Sequence, residues 1–145
     1  MSRQFRLASL LRVRKVQEDE AASQLASANR EVSEARERTA RASARLAGST
    51  LDGSVPVGVW HAITASRAAM RRELEDAQSL VSARCAARDE AERVWLEARG
   101  RVRTFERLEE QHDAQVAADE LAEEQKSLDE VAGRRPATYE QEEQG

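Results

Sequence analysis

The stretch GSTLDGSVPVG, residues 48–58, interrupts a chain that otherwise reads as two long helices. Asp52-Gly53 is a turn dipeptide, and Pro56 suits the first turn of the helix that follows. The next strong stop signal is Gly133, far along the chain, because glycine commonly follows the last turn of a helix. A single turn between two long helices predicts an antiparallel hairpin.

The composition favours long helices over an ordinary globular domain. Charged residues make up 34% of the 145 residues and aromatic residues only 3%, with six Gly and two Pro. Abundant Ala, Glu and Arg with few helix breakers indicate long helix or coiled coil. The one cysteine, Cys85, cannot form an internal disulfide, and no N-terminal apolar run is long enough for a signal peptide or a membrane span. We therefore expect a soluble, cytoplasmic protein.

A 4-3 repeat of mostly small apolar residues runs along both halves of the chain. So sustained a repeat argues against disorder, and so narrow a stripe fits one partner helix but not a globular core. In the first half it consists of Leu11, Arg14, Glu18, Ala21, Leu25, Ala28, Val32, Ala35, Thr39, Ala42 and Leu46. In the second half it consists of Met70, Leu74, Ala77, Val81, Arg84, Arg88, Ala91, Trp95, Ala98, Val102 and Phe105, and then weakens to Glu109, His112 and Val116.

These signals predict an all-α fold, a long antiparallel two-helix coiled-coil hairpin whose second helix is longer than the first. The predicted parts of this single domain, residues 1–145, are a helix at 4–47, a turn at 48–57, a helix at 58–132 and a disordered tail at 134–145. Folding at the turn is expected to place Phe5 near Gly100. Residues 103–132 would then extend past the first helix by roughly 45 Å at 1.5 Å per residue.

Charge is spread unevenly along the chain, whose net charge is −4. Residues 1–16 carry five basic groups and no acid, whereas residues 104–145 carry 13 acids and four bases. This split suits two ends that lie near each other in space. Elsewhere arginines are mixed with acids and do not alternate with aromatic residues, so nucleic acid is not an expected partner. The acids at 18–20 follow the basic start at once and weaken the case for binding to an anionic membrane.

Motifs for catalysis are missing from the sequence. There is no phosphate-binding loop of the form GxxxxGK[ST], and Lys15 and Lys126, the only lysines, follow no glycine-rich loop. His61, His112 and Cys85 fall on no metal-ligand spacing. We therefore expect no enzymatic activity, no catalytic residues, no cofactor and no metal.

Three stretches in this order resemble the FliJ family of the flagellar type III export apparatus, and the resemblance covers nearly the whole chain. The first is FRLASLLRVR at residues 5–14, followed by EDEAA at 18–22. The second is WHAI at residues 60–63, just after the turn. The third is FERL at 105–108 with EQKSLDE at 124–130.

The resemblance implies an antiparallel two-helix coiled coil similar to the central stalk of rotary ATPases. It implies a non-enzymatic protein of flagellar export, and hence of motility and chemotaxis. Such a protein binds the hexameric export ATPase, promotes its assembly and activity, contacts the export-gate protein FlhA and escorts substrate chaperones. It would be a cytoplasmic monomer, peripherally associated with the inner face of the cell membrane at the flagellar base.

The resemblance also implies two sets of binding residues. The ATPase-binding set is Phe5, Leu7, Leu10, Leu11, Arg12, Arg14, Phe105, Leu108, Leu128, Asp129 and Glu130. The export-gate-binding set is Arg38, Ala42, Met70 and Ala77. In enteric members of the family the gate-facing surface is rich in aromatic residues and Leu. Here Met70 keeps an apolar contact, but the aromatic residues are gone.

Two alternatives share the predicted architecture. One is the stalk of a virulence-type secretion system or of a rotary ATPase. The other is a generic coiled-coil scaffold or dimeric adaptor, which would associate with itself through the end of the second helix.

Overall fold

The computed structural model describes residues 4–50 and 53–134. These residues form two α-helices, α1 (Ala8–Ala47) and α2 (Val57–Gly133), and contain no strand. The predicted all-α class and the longer second helix are confirmed. The end of α1 matches the prediction, and both ends of α2 lie within one residue of it.

The start of α1 differs from the predicted residue 4. Residues 6 and 7 form a turn, and the N–H of Ala8 donates to the carbonyl of Phe5 at 3.1 Å before the helix begins. The helix starts late because the side chain of Phe5 packs against another part of the chain, as described below. At the other end Arg134 closes α2 in a turn, its N–H lying 3.1 Å from the carbonyl of Glu130.

The rest of the predicted disordered tail, residues 135–145, lies outside the described residues. Contacts within the chain divide it into two compact units, residues 13–101 and residues 1–12 with 102–145. The single domain therefore stays a prediction.

Within residues 13–101 the two helices run antiparallel. Three polar contacts join the first half of this unit to α2, namely Glu31 with Arg84 at 3.2 Å, Arg45 with Glu73 at 3.0 Å, and the Ser49 carbonyl with Arg67 at 2.9 Å. Residue numbers rise along the first half as they fall along α2, which is the pattern of a helical hairpin. Both ion pairs are largely exposed, so they set the register more than they stabilise the fold.

The core of this unit is a seam of small side chains. Its buried members are Ala21, Ala28, Val32, Ala35 and Ala42 from α1 and Ala77 and Ala98 from α2. Every position of the two repeats predicted from the sequence is buried or half-buried in the structure. Alanine removes little apolar area from water, so the helices depend on many small contacts spread along their length.

The unit made of residues 1–12 and 102–145 has its own packing. Leu11 and Val102 are each only 4% exposed, and the ring of Phe5 lies 5.5 Å from that of His112, tilted by 56°. The expectation that Phe5 lies near Gly100 is wrong. The register explains the error, because the part of α2 that pairs with the first helix begins near Arg67 and not at the start of α2.

The exposed end of α2 is shorter than predicted. Half-buried positions continue as far as Asp119, whereas every residue from 120 to 134 is exposed. We call residues 120–134 the arm. It begins well after residue 103, where the sequence placed the overhang, because residues ahead of α1 also pack on α2.

An acidic residue in the buried seam between α1 and α2 should destabilise the hairpin. Val32 is 3% exposed in α1, whereas Val16, in the same helix, is 65% exposed. We expect Val32→Asp to lower the free energy of unfolding by about 3 kcal/mol, because a carboxylate would lose its hydration there. Urea unfolding followed by circular dichroism measures this, with Val16→Asp as the matched control. Equal losses of stability in the two variants would contradict the burial of Val32 between the two helices.

Candidate partner-binding site

The residues that the resemblance assigns to ATPase binding differ in how far their side chains are exposed to solvent. Phe5, Arg14 and Phe105 are half-buried, and Leu11 is buried, so a partner reaches little of their side chains. The others are exposed and open to a partner, namely Leu7, Leu10, Arg12, Leu108, Leu128, Asp129 and Glu130. The buried members serve packing, and the exposed members are the ones that can bind.

The packing of Phe5 fixes the chain that precedes α1. Its ring meets the ring of His112, whose Nδ1 is buried and makes no hydrogen bond within the described residues. The Oδ1 of Asp113 lies 3.5 Å from this nitrogen, beyond a good hydrogen bond. Leu7 and Leu10, which follow Phe5, each remain 37% exposed. An internal anchor thus holds a short segment whose leucines stay accessible.

Arg14 shows the same division between packing and exposure. One terminal nitrogen of its guanidinium donates to Gln17 Oε1 at 3.0 Å, while its Nε is buried without a hydrogen bond in the structure. Arg12, two residues earlier, is exposed. Of the two arginines, Arg12 is the one that can meet a partner's carboxylates directly.

The arm carries large apolar side chains in water. Leu121, Leu128 and Val131 are 67%, 64% and 62% exposed. Polar contacts flank them, since Gln125 Nε2 donates to Asp129 Oδ1 at 3.0 Å along the same helix. Large apolar residues this open, in a segment whose described residues are all exposed, are typical of a surface that binds a partner.

These side chains belong to a second stripe that the sequence analysis missed. The stripe is Ala114, Ala117, Leu121, Glu124, Leu128 and Val131, again with 4-3 spacing. At about 100° per residue it lies about 120° around α2 from the half-buried stripe at His112 and Val116. The 4-3 spacing of the second stripe is visible in the sequence. It was missed because the first repeat was extended to Glu109, His112 and Val116, where its apolar pattern weakens.

Acidic residues surround the second stripe. Residues 104–134 contain ten acids and three bases, so most of these carboxylates have no base in the segment to neutralise them. Further back on α2 the charges balance locally, as Arg93 pairs with both Glu90 and Glu97. The hydrogen bond from Arg93 lowers the pKa of Glu90, and the same bond raises the pKa of Arg93. The surplus of negative charge is therefore a property of the end of α2.

The residues assigned to the export gate divide in the same way. Ala42 and Ala77 are 4% and 3% exposed and belong to the seam, so their side chains are already in contact with the hairpin itself. Arg38 is exposed and Met70 half-buried. A partner at this surface would meet Arg38 and part of Met70.

The described residues show neither a metal cluster nor a membrane-spanning helix. Across residues 4–50 and 53–134 no three His, Cys, Asp or Glu side chains converge as a metal site would require. Neither α1 nor α2, over the residues that the structure describes, is long and apolar enough to cross a bilayer.

Comparison with known proteins identifies the family. The family model described as "Flagellar FliJ protein" matches residues 2–141, nearly the whole chain. The chain belongs to the FliJ family. The resemblance noted from the sequence is thereby confirmed, and membership makes the chain a component of flagellar export, in a family whose members are non-catalytic. No curated protein and no solved structure matches it.

The anchor at Phe5 is testable in this FliJ-family chain. Phe5→Ala and His112→Ala should each lower the free energy of unfolding, and in the double variant the losses should overlap. Aromatic pairs of this geometry have coupling energies of about 0.5–1.5 kcal/mol. Urea unfolding of the four proteins gives the coupling. Strictly additive losses would show that the two rings do not interact.

Proposed function

We propose that this chain is a stalk that binds the hexameric flagellar export ATPase, promotes its assembly and raises its activity. The arm, residues 120–134, is the observation that carries the proposal. It is helical as far as Gly133 and exposed along its length, and it presents Leu121, Leu128 and Val131 to water. Family membership supports a place in flagellar export, and the family match favours the flagellar system over the virulence-type and rotary alternatives.

The arm has the physical properties of a segment that needs a partner. A helix of this length is marginal by itself in water, because nucleation is costly and few side-chain contacts offset the loss of chain entropy. A ring of subunits around it would cover its apolar stripe and stabilise it. The acids around the stripe select a partner surface that is apolar at its centre and basic at its rim.

The exposed leucines beside the Phe5 anchor supply a second set of contacts. Leu7, Leu10 and Leu108 are each a little over one-third exposed. Arg12 is exposed as well and offers a positive charge in a unit that is otherwise acidic. Two contact sets, one apolar and acidic and one apolar and basic, would hold the stalk in a defined orientation in the ring.

The proposed mechanism is preferential binding and involves no chemistry by the stalk. A ligand that binds the assembled ring more tightly than free subunits shifts the equilibrium toward the ring by its difference in affinity. Hydrolysis remains the work of the ATPase, and the stalk acts as a monomer at the cytoplasmic face of the export apparatus. Chaperone escort is proposed on family grounds alone.

Contact with the gate protein FlhA belongs to the same proposal. The hairpin surface that carries Arg38 and Met70 would bind it. The flanking Ala42 and Ala77 would act indirectly, by setting how closely the two helices pack there. The gate and the ATPase would then use different residues.

Separate substitutions should therefore separate the two activities. Leu108→Ala with Leu128→Ala should weaken stimulation of the export ATPase by at least about tenfold, since each truncation removes about 1–3 kcal/mol of apolar burial. Arg38→Glu should leave stimulation intact and weaken binding to purified FlhA. Leu96→Ala, at a leucine that is 54% exposed outside both surfaces, is the control for both measurements.

The variants that lose ATPase stimulation or FlhA binding show whether the two surfaces are separate. Full stimulation by the Leu108 and Leu128 double variant, with helicity unchanged by circular dichroism, would overturn the proposed ATPase surface. Equal loss of both activities in every variant, the Leu96 control included, would point to a folding defect and contradict the division of surfaces.

A further inference from the structure

The start of α2 presents apolar side chains that the proposed function does not use. Val57 is 72% exposed, Val59 45% and Trp60 49%. From residue 57 to residue 66 all positions are exposed except Ile63, which is half-buried. We call Val57, Val59 and Trp60 the tip.

The tip is exposed because of the register of the hairpin. Arg67 donates to the carbonyl of Ser49, two residues beyond the end of α1, so the turns of α2 before Arg67 have no residue of α1 opposite them. The tip is thus a structural overhang of the hairpin unit. It lies outside both sets of residues proposed to bind the ATPase and the gate.

Charge is nearly absent around the tip. In a chain that is 34% charged, residues 46–66 contain one charged residue, Asp52, which lies outside the described residues. The nearest arginines are already engaged, Arg45 with Glu73 and Arg67 with the Ser49 carbonyl. The tip therefore has neither a basic patch for anionic lipid nor a charge pattern for a charged protein surface.

The arrangement of the side chains fits a flat apolar layer better than a groove. A helix that lies in a groove uses anchors at i, i+3 or i+4 and i+7 on one face. Here the three side chains wrap around the first turn of α2, because residues 57, 59 and 60 point in directions about 60–160° apart. They span about 4.5 Å along the helix, close to the depth of about 5–10 Å to which interfacial segments bury.

A second copy of the chain does not suit this surface. Three side chains offer far less than the roughly 1,000 Å² that a specific protein interface needs. Tryptophan beside valine, in contrast, is typical of segments at the boundary between lipid headgroups and acyl chains, where the indole finds an apolar layer and polar groups together.

We propose that the tip inserts reversibly into the interfacial layer of a lipid bilayer, with zwitterionic lipid sufficient for binding. Trp60 is the principal anchor, and Val57 and Val59 bury beside it. Because no basic residue takes part, added anionic lipid and moderate salt leave the affinity unchanged. The contact holds the hairpin end at the membrane surface without spanning it.

Tryptophan fluorescence tests the proposal directly on the full-length chain. The protein has two tryptophans, and Trp95, half-buried beneath Arg99 at 5.2 Å, is the other one. In the Trp95→Phe variant, Trp60 is the only reporter. Vesicles of phosphatidylcholine should shift its emission to shorter wavelength, and vesicles with brominated acyl chains should quench it.

Cosedimentation with the same vesicles identifies the anchor. Val57→Ser with Trp60→Ser should abolish binding, whereas Leu96→Ser, at an exposed leucine outside the tip, should leave it unchanged; circular dichroism checks that both variants are helical. Adding phosphatidylserine or raising the salt should not alter the bound fraction.

Three results would overturn the proposal. The first is an emission of Trp60 that vesicles leave unchanged. The second is binding only to anionic vesicles and its loss in salt, which would assign the contact to basic residues elsewhere. The third is a shift that appears only with purified export ATPase or gate protein, which would assign the tip to a protein pocket. None of these would overturn the ATPase proposal, which is tested by stimulation of the ATPase and substitutions at other residues.

Discussion

The seam of alanines between the two helices is the interaction on which the hairpin depends. Ala21, Ala28, Ala35 and Ala42 of α1 and Ala77 and Ala98 of α2 are all buried, and each buries little area. Such side chains let helices approach closely, so many weak contacts stabilise the pair and none dominates. A seam of this width leaves every other face of both helices in water. The surface of the described helices thus remains open for binding.

Binding follows from what the seam leaves uncovered. Beyond Asp119 the chain stays helical as far as Gly133, but every described residue is exposed, and the apolar stripe lies on a different face of α2. The surplus of acidic residues also lies at this end of α2, since residues 104–134 contain ten acids and three bases. A partner that surrounds the arm would cover its apolar residues and neutralise its acids at once, which suits a stalk that acts by shifting an equilibrium.

Much of this fold could be predicted from the sequence, because periodicity reports directly on burial. Every position of the two repeats, including polar ones such as Glu18 and Arg84, is at least half-buried. The register could not be predicted, because the interval at 48–58 fixes where the chain turns but not how many residues of α2 precede the pairing. The wrong register placed Phe5 near Gly100 instead of His112, and it placed the start of the exposed segment at residue 103 instead of residue 120.

The residues that are open to a partner were harder to predict than the fold. Resemblance identified Leu108 and Leu128, which are exposed, but also Leu11 and Ala42, which the hairpin buries. A sequence pattern does not distinguish an apolar residue that is buried inside a coiled coil from one that is exposed and can bind a partner. Leu121 and Val131 were missed because the second stripe starts where the first fades.

We propose that one stalk serves one ATPase ring. The decisive measurement is the steady-state rate of ATP hydrolysis by the organism's flagellar export ATPase while this chain is added at increasing ratio. Stimulation should saturate at one chain per hexamer. An unchanged rate, with both proteins folded, would contradict it and would favour the scaffold alternative for this coiled coil.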